Sequence, residues 1–244
     1  MKEQYKGAIF DMDGVITQTA KVHAKAWKEL FDGFLKEHEG TSFEPFDIKK
    51  DYQQYIDGKP RLDGIRSFLK SRDISLKEGK PGEKSPKTTV HDLGERKNNV
   101  FLSLLKRKGI EVYPDSQELI HRWKGQRKLA VISASKNCEF ILTSAGMLEM
   151  FDVRVDGIIS ESLHLKGKPE PDIFLEASRL LGLQPGECMV FEDAIAGVQA
   201  GKKGGFGLVV GVAREGEEED LLKNGADFAI ASLDLIENKL NSYV

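Results

Sequence analysis

The run Gly7-Ala8-Ile9-Phe10, broken at once by Asp11-Met12-Asp13-Gly14, decides the fold of this 244-residue chain. Four apolar residues in succession have the length of a strand buried on both faces, which is the habit of parallel sheets. Two carboxylates and a glycine turn at the end of such a strand put polar chemistry where a parallel sheet ends.

Downstream, the period changes. Val22, Ala26, Trp27, Leu30, Phe31 and Phe34 fall on one face of an amphipathic helix, with His23 and Trp27 sharing a side of it. From about Thr41 to Lys108 the chain is rich in charge and patterned as helices over 61–71 and 93–108. The segment 77–87, full of Lys, Gly, Pro and Glu, reads as an exposed loop. After Pro114 strand and helix alternate. Strands are predicted over 129–132, 153–159, 189–191, 207–212 and 228–230, and helices over 136–145, 171–181, 194–202 and 217–224. Repeated units of this kind make a doubly wound parallel α/β sheet with helices on both faces. The first strand joins that sheet across a helical stretch. The predicted division is therefore a catalytic core of residues 1–18 and 110–244, with an inserted helical cap over 19–109.

Composition narrows the function. The chain carries 36 Lys+Arg against 39 Asp+Glu, a net charge of −3, so no basic excess marks a nucleic-acid surface. No stretch reaches the length of a membrane span, and the start of the chain lacks the pattern of a signal peptide, so a cytoplasmic protein is expected. Cys138 and Cys188 stand fifty positions apart without a C-x-x-C spacing and read as two buried thiols.

Ligands of doubly wound sheets bind at the carboxyl ends of the strands. Residues just past the predicted strands are Asp11 and Asp13, Ser133 and Ser135, and Glu192-Asp193, while Lys168 precedes the helix that begins near Pro171. Carboxylates gathered on one rim repel unless a cation lies between them, and oxygen donors select a hard ion such as Mg²⁺. Serine hydroxyls and a lysine suit a phosphoryl group. Ser133 and Asn137 are equally good caps for the helix that follows them, and Trp27 suits core packing as well as binding.

Phe10-Asp11-Met12-Asp13-Gly14-Val15-Ile16 resembles the D-x-D-G motif of the haloacid dehalogenase superfamily, whose sheet is Rossmann-like. Ser133, Lys168 and Glu192-Asp193 match its second, third and fourth motifs in order. Within that superfamily the chain is similar to the β-phosphoglucomutases, through Asp13 to Thr17, His23, Ala26-Trp27-Lys28, Ser133 to Asn137 and Lys168-Pro169-Glu170-Pro171-Asp172. It departs from their pattern at Gln18, at Lys59-Pro60 and in the loop near 79–87.

The resemblance implies a Mg²⁺-dependent phosphoryl transfer, with one ion per subunit. Asp11 is the implied nucleophile, Asp13 the general acid and base, and Ser133 and Lys168 the partners of the phosphoryl group. The implied metal ligands are Asp11, Asp13, Glu192 and Asp193. Substrate contacts are implied for His23, Trp27, Gly58, Arg61 and Lys97 of the cap and for Ala134, Ser135 and Asn137 of the core. The expected reaction interconverts β-glucose 1-phosphate and glucose 6-phosphate, with a sugar-phosphate phosphatase as the alternative. The expected partner is a small sugar phosphate, with neither nucleic acid nor membrane, and the expected state is a monomer, with a dimer as the alternative.

Overall fold

The computed structural model of the chain describes residues 5–82 and 87–242, except for the side chains of Thr41 and Lys108. It separates into two compact units, one built from the chain up to Gln18 together with Ile110 onward, the other from Thr19–Gly109. Part of the loop expected over 77–87, residues 83–86, lies outside the described residues.

In chain order, β1 (Gly7–Asp11) is followed by three long helices of the second unit, α1 (Thr19–Glu39), α2 (Arg61–Ser71) and α3 (Val90–Lys108). The core resumes with α4 (Pro114–Trp123), β2 (Lys128–Ile132), α5 (Cys138–Ser144), β3 (Val153–Val155), α6 (Gly157–Ser162) and α7 (Asp172–Leu181). It ends with β4 (Cys188–Glu192), α8 (Ile195–Lys203), β5 (Leu208–Val212), α9 (Glu218–Lys223), β6 (Phe228–Ile230) and α10 (Ile236–Ser242).

The six strands form one parallel sheet in the order β3-β2-β1-β4-β5-β6. All five residues of β1, β4 and β5 are buried, as helix-covered parallel strands require. The order reverses at β1, so the carboxyl end of that strand is the switch point at which such sheets bind ligands. Register aligns the chemistry there. Asp11 pairs with Ile132, so Ser133 follows beside it, and Phe10 pairs with Phe191, so Glu192 lies level with Asp11. Beneath this row Phe10 stacks on Phe191 at 4.6 Å between ring centroids, and Trp123 of α4 leans on both. Each such aromatic contact contributes about 0.5–1.5 kcal/mol beyond its buried area.

Several elements differ from expectation, and α10, at the end of the chain, is among those not foreseen. The strand foreseen over 153–159 stops at Val155, because Asp156 caps α6 through its Oδ1, which accepts the amides of Ile158 and Ile159. Helix α4 was not foreseen, although Pro114 at its first turn and Leu119, Ile120 and Trp123 at helical spacing mark it. Helix α5 starts two residues later than predicted, at Cys138.

The second unit has its own apolar core. Trp27, Phe31 and Phe34 of α1 meet Phe46, Ile65, Phe68 and Leu93. Helix α3 opens with a capping box, in which Thr89 Oγ1 accepts the Asp92 amide and the Asp92 carboxylate accepts the Thr89 amide. Among the described residues, no helix is long and apolar enough to cross a membrane.

Candidate active site

At the switch point Asp11 closes β1 with only 6% of its surface exposed. Its Oδ1 accepts from Lys168 Nζ at 2.6 Å and its Oδ2 from the Asp13 amide at 2.9 Å. The second contact folds the chain back over the strand end and leaves Asp13 half-buried beside it. Ser133, wholly buried after β2, donates its hydroxyl to Asp13 Oδ2 at 3.0 Å and accepts the Ser135 amide. Asp11, Asp13, Ser133 and Lys168, 157 positions apart at their extremes, thus form one hydrogen-bonded group.

Lys168 reaches the group from the turn before α7. Its ammonium also donates to Glu192, whose other carboxylate oxygen accepts the Ala194 amide at 2.9 Å. Burial alone would lower the Lys168 pKa, but the carboxylates of Asp11 and Glu192 outweigh it and hold the side chain charged. Burial, reinforced by the negative charges of Glu192 and Asp13, raises Asp11 well above the usual carboxylate range. Glu192 is fully buried, so at the site it acts through the charge balance of Lys168. Gly197 makes room for it, since a Cβ there would overlap the Glu192 carboxylate.

Asp193 lies half-buried on the other side of the loop. Gly14 adopts φ +90°, and a Cβ on it would fall on the Asp193 carboxylate, so that carboxylate is pressed against the turn that follows Asp13. Glycine is required there twice, by the backbone angle and by the close approach. Among the described residues no three His, Cys, Asp or Glu side chains make a ready metal cage. Magnesium does not need one, because it takes one or two carboxylates and leaves its other positions to substrate and water. The donors here are all oxygen, and the buried negative charge exceeds what Lys168 balances. The residues present therefore fit a hard divalent cation.

The loop after Ser133 is built by short hydrogen bonds. Ser135 Oγ accepts the Asn137 amide at 3.1 Å, and the Ser135 carbonyl accepts the Gly157 amide. The capping alternative for this loop is not realised: Asn137 stands at the N-cap of α5 without a side-chain capping bond, and the Ser133 hydroxyl goes to Asp13. Ala134 sits between them on the same loop.

The candidate cap residues fall within the second unit. Lys97 of α3 is 3% exposed, in contact with His23 Nδ1 of α1 and 5.0 Å and 4.7 Å from the ring centres of Trp27 and Phe101. His23 stacks on Phe101. Trp27, 4% exposed and stacked on Phe31, packs in the core of this unit. Arg61 starts α2 and donates to the Gly94 carbonyl and to Asn98 Oδ1, at 3.2 and 3.0 Å. Gly58, at φ +70°, turns the chain just before it.

Sequence reasoning missed Arg214. It follows β5, where extending the search of strand ends by one strand would have found it. Its guanidinium donates to the carbonyls of Gly14 and Val15, to Ser116 Oγ and to the Asp115 carboxylate.

Comparison with known proteins agrees with this geometry. A family model described as haloacid dehalogenase-like hydrolase matches residues 5–205. A β-phosphoglucomutase of Mycobacterium bovis is 41% identical over 240 residues, covering 96% of this chain and 92% of that protein. A fructose-1-phosphate phosphatase of Escherichia coli is 31% identical over 214 residues, covering 86% of this chain and 97% of its own. The crystal structure of a β-phosphoglucomutase from Clostridium difficile superposes with a TM-score of 0.75 at 27% identity, covering 98% of each chain. With its motifs gathered at the switch point of such a sheet, the chain is an enzyme and belongs to the haloacid dehalogenase-like hydrolase family.

Proposed function

We propose that this enzyme is a magnesium-dependent β-phosphoglucomutase, interconverting β-glucose 1-phosphate and glucose 6-phosphate through glucose 1,6-bisphosphate. The observation that carries the chemistry is the buried contact of Lys168 with Asp11, beside an Asp13 held by Ser133. The choice of sugar is supported by the likeness to the Mycobacterium bovis β-phosphoglucomutase along nearly the whole chain.

Asp11 attacks phosphorus in line, and a P–O bond forms to its carboxylate as the bond to the leaving oxygen breaks. Asp13 gives its proton to that leaving oxygen and, in the return transfer, takes one from the sugar hydroxyl that attacks the aspartyl phosphate. Lys168 and the Ser133 loop, with Ala134, Ser135 and Asn137, face the charge on the transferred group. Asp11, the Asp13 carbonyl and Asp193 would hold Mg²⁺, with Glu192 completing the acidic set through Lys168. When bound, the ion supplies neutralisation of charge on the phosphoryl oxygens. Arg61, Gly58, His23 and Lys97 recognise the sugar and its distal phosphate, which a mutase must hold in two orientations.

The phosphatase reading shares the first half-reaction and uses water as acceptor, and the Escherichia coli fructose-1-phosphate phosphatase favours it. Supplying β-glucose 1-phosphate, Mg²⁺ and a trace of glucose 1,6-bisphosphate, and following glucose 6-phosphate against free phosphate, separates the two. Accumulation of glucose 6-phosphate supports the mutase. Free phosphate without isomer overturns it in favour of the phosphatase.

A further inference from the structure

We propose that Arg214 is a positioning residue that locks the acid–base loop to the two stretches by which the chain leaves and re-enters the core. Its catalytic consequence rests on the phosphoryl-transfer reading above; its mechanical consequence does not.

The loop from Met12 to Thr17 satisfies its inner side by itself. The Met12 carbonyl accepts the amides of Ile16 and Thr17 and the Thr17 hydroxyl, and the Gly14 amide donates to the Thr17 carbonyl. Its outer carbonyls, Gly14 and Val15, are met by Arg214 Nε at 3.1 Å and Nη2 at 3.0 Å. The Val15 carbonyl also accepts the Ser116 hydroxyl, to which Arg214 donates in turn at 2.7 Å. Gly14 joins Asp13 on one side and faces the Asp193 carboxylate on the other. A guanidinium that fixes the carbonyl of Gly14 therefore fixes the Gly14–Val15 peptide, the next along the chain from the one that joins Asp13 to Gly14.

The same guanidinium grips the returning stretch. Leaving the core, Thr17 bridges Val112 and the Gln18 amide donates to the Glu111 carbonyl, while the Tyr113 amide donates to the Ile16 carbonyl. At the core end of this small ladder Arg214 lies 3.7 Å over the Tyr113 ring and pairs with Asp115 at 2.9 Å. Burial pushes the Asp115 carboxyl up, but Arg214, the Leu233 amide and the Ser232 hydroxyl outweigh it and hold the group below the usual carboxylate range. Asp115 is thus a charged anchor at the start of α4, tied also to the segment after β6. Only a planar fork with several donors reaches both carbonyls, the hydroxyl and the carboxylate together, which a lysine cannot do. Displacement of either stretch is passed through Arg214 to the peptides on either side of Val15, in the turn that follows Asp13.

The test compares wild type, Arg214→Met and Arg214→Lys by hydrogen–deuterium exchange and by kcat and KM on a sugar phosphate and on p-nitrophenyl phosphate. The nitrophenolate leaves without a proton from Asp13, whereas a sugar oxygen does not. Arg214→Met is expected to raise exchange in residues 12–19 and 110–116 together. It is expected to lower kcat on the sugar phosphate by about 10- to 100-fold, with a smaller loss on p-nitrophenyl phosphate and little change in KM. Wild-type exchange in both segments, exchange raised equally throughout the core, or equal kcat loss on both substrates would overturn the proposal. Should the methionine variant fail to fold, Arg214→Lys decides. Raised exchange in both segments with reduced kcat supports the lock, and wild-type values of both refute it. A wild type that turns over no sugar phosphate defeats the functional reading alone, since exchange and p-nitrophenyl phosphate hydrolysis still judge Arg214.

Discussion

The ammonium of Lys168 lies 2.6 Å from Oδ1 of Asp11, with the two side chains 4% and 8% exposed. A carboxylate and a cation this close, out of water, form a charge pair whose strength depends on both members and on Glu192 behind them.

Lys168→Met strands Asp11 and Glu192 as buried like charges. The expected cost is about 3–5 kcal/mol of folding stability, measured by urea denaturation, because removing one partner of a buried pair leaves the other's desolvation uncompensated. Adding Glu192→Gln to the same chain should recover part of that loss. A double variant no more stable than Lys168→Met would refute the coupling.

Asp11→Asn removes the carboxylate proposed to attack phosphorus while keeping the shape of the side chain. Turnover should fall about a thousandfold or more, read as product formed per minute at saturating substrate. Because burial and the nearby Glu192 and Asp13 disfavour charge on Asp11, the neutral isostere should melt no lower than wild type. A large drop in melting temperature would mean that the residue holds the fold rather than the reaction.

Two glycines should behave differently. Gly197→Ala would place a methyl on the Glu192 carboxylate in the core, so it should destabilise by about 2–4 kcal/mol in thermal melts. Gly14→Ala forces a left-handed backbone angle on alanine and displaces Asp193, so its main loss should appear in activity and in the Mg²⁺ concentration needed for half-maximal rate.

Chelation with EDTA should abolish turnover and excess Mg²⁺ should restore it. In Asp193→Asn the half-maximal Mg²⁺ concentration should rise by about 10- to 100-fold. Full activity in EDTA would remove the metal from the mechanism.

Both thiols should be silent in the native protein. Burial pushes Cys188 up to about 12 and raises Cys138 further, with Asp13 adding to the effect on Cys138. Iodoacetamide at pH 8 should label neither cysteine until the chain is unfolded in guanidinium, when both react. The sign of the linkage follows. Folded-state values lie above the ordinary thiol value of about 8.5, so this contribution to stability is full below that pH and is lost as pH rises toward 12. A denaturation midpoint in Cys188→Ala that falls with alkaline pH as steeply as wild type would contradict it.

Much of this molecule follows from order along the chain. Strand-length apolar runs alternating with helical periods lead to a parallel sheet, and carboxylates, serines and a lysine placed just past those runs lead to one rim, because all parallel strands end on the same side. Such patterns are local, and periodicity records them. What the tertiary structure decided is pairing. That Glu192 turns inward to Lys168 and that Asp193 presses on Gly14 depends on register and on two glycines that leave space. Lys97 reads as a substrate contact on a helical face and Trp27 as either packing or binding, and only the packing of α1 against α3 buries them both. Arg214 is marked locally only by its place just past β5; its four acceptors come from residues some 98 to 200 positions away. Spacing cannot reveal contacts between segments so distant, since the sheet order that brings them together is set by the packing of the whole core.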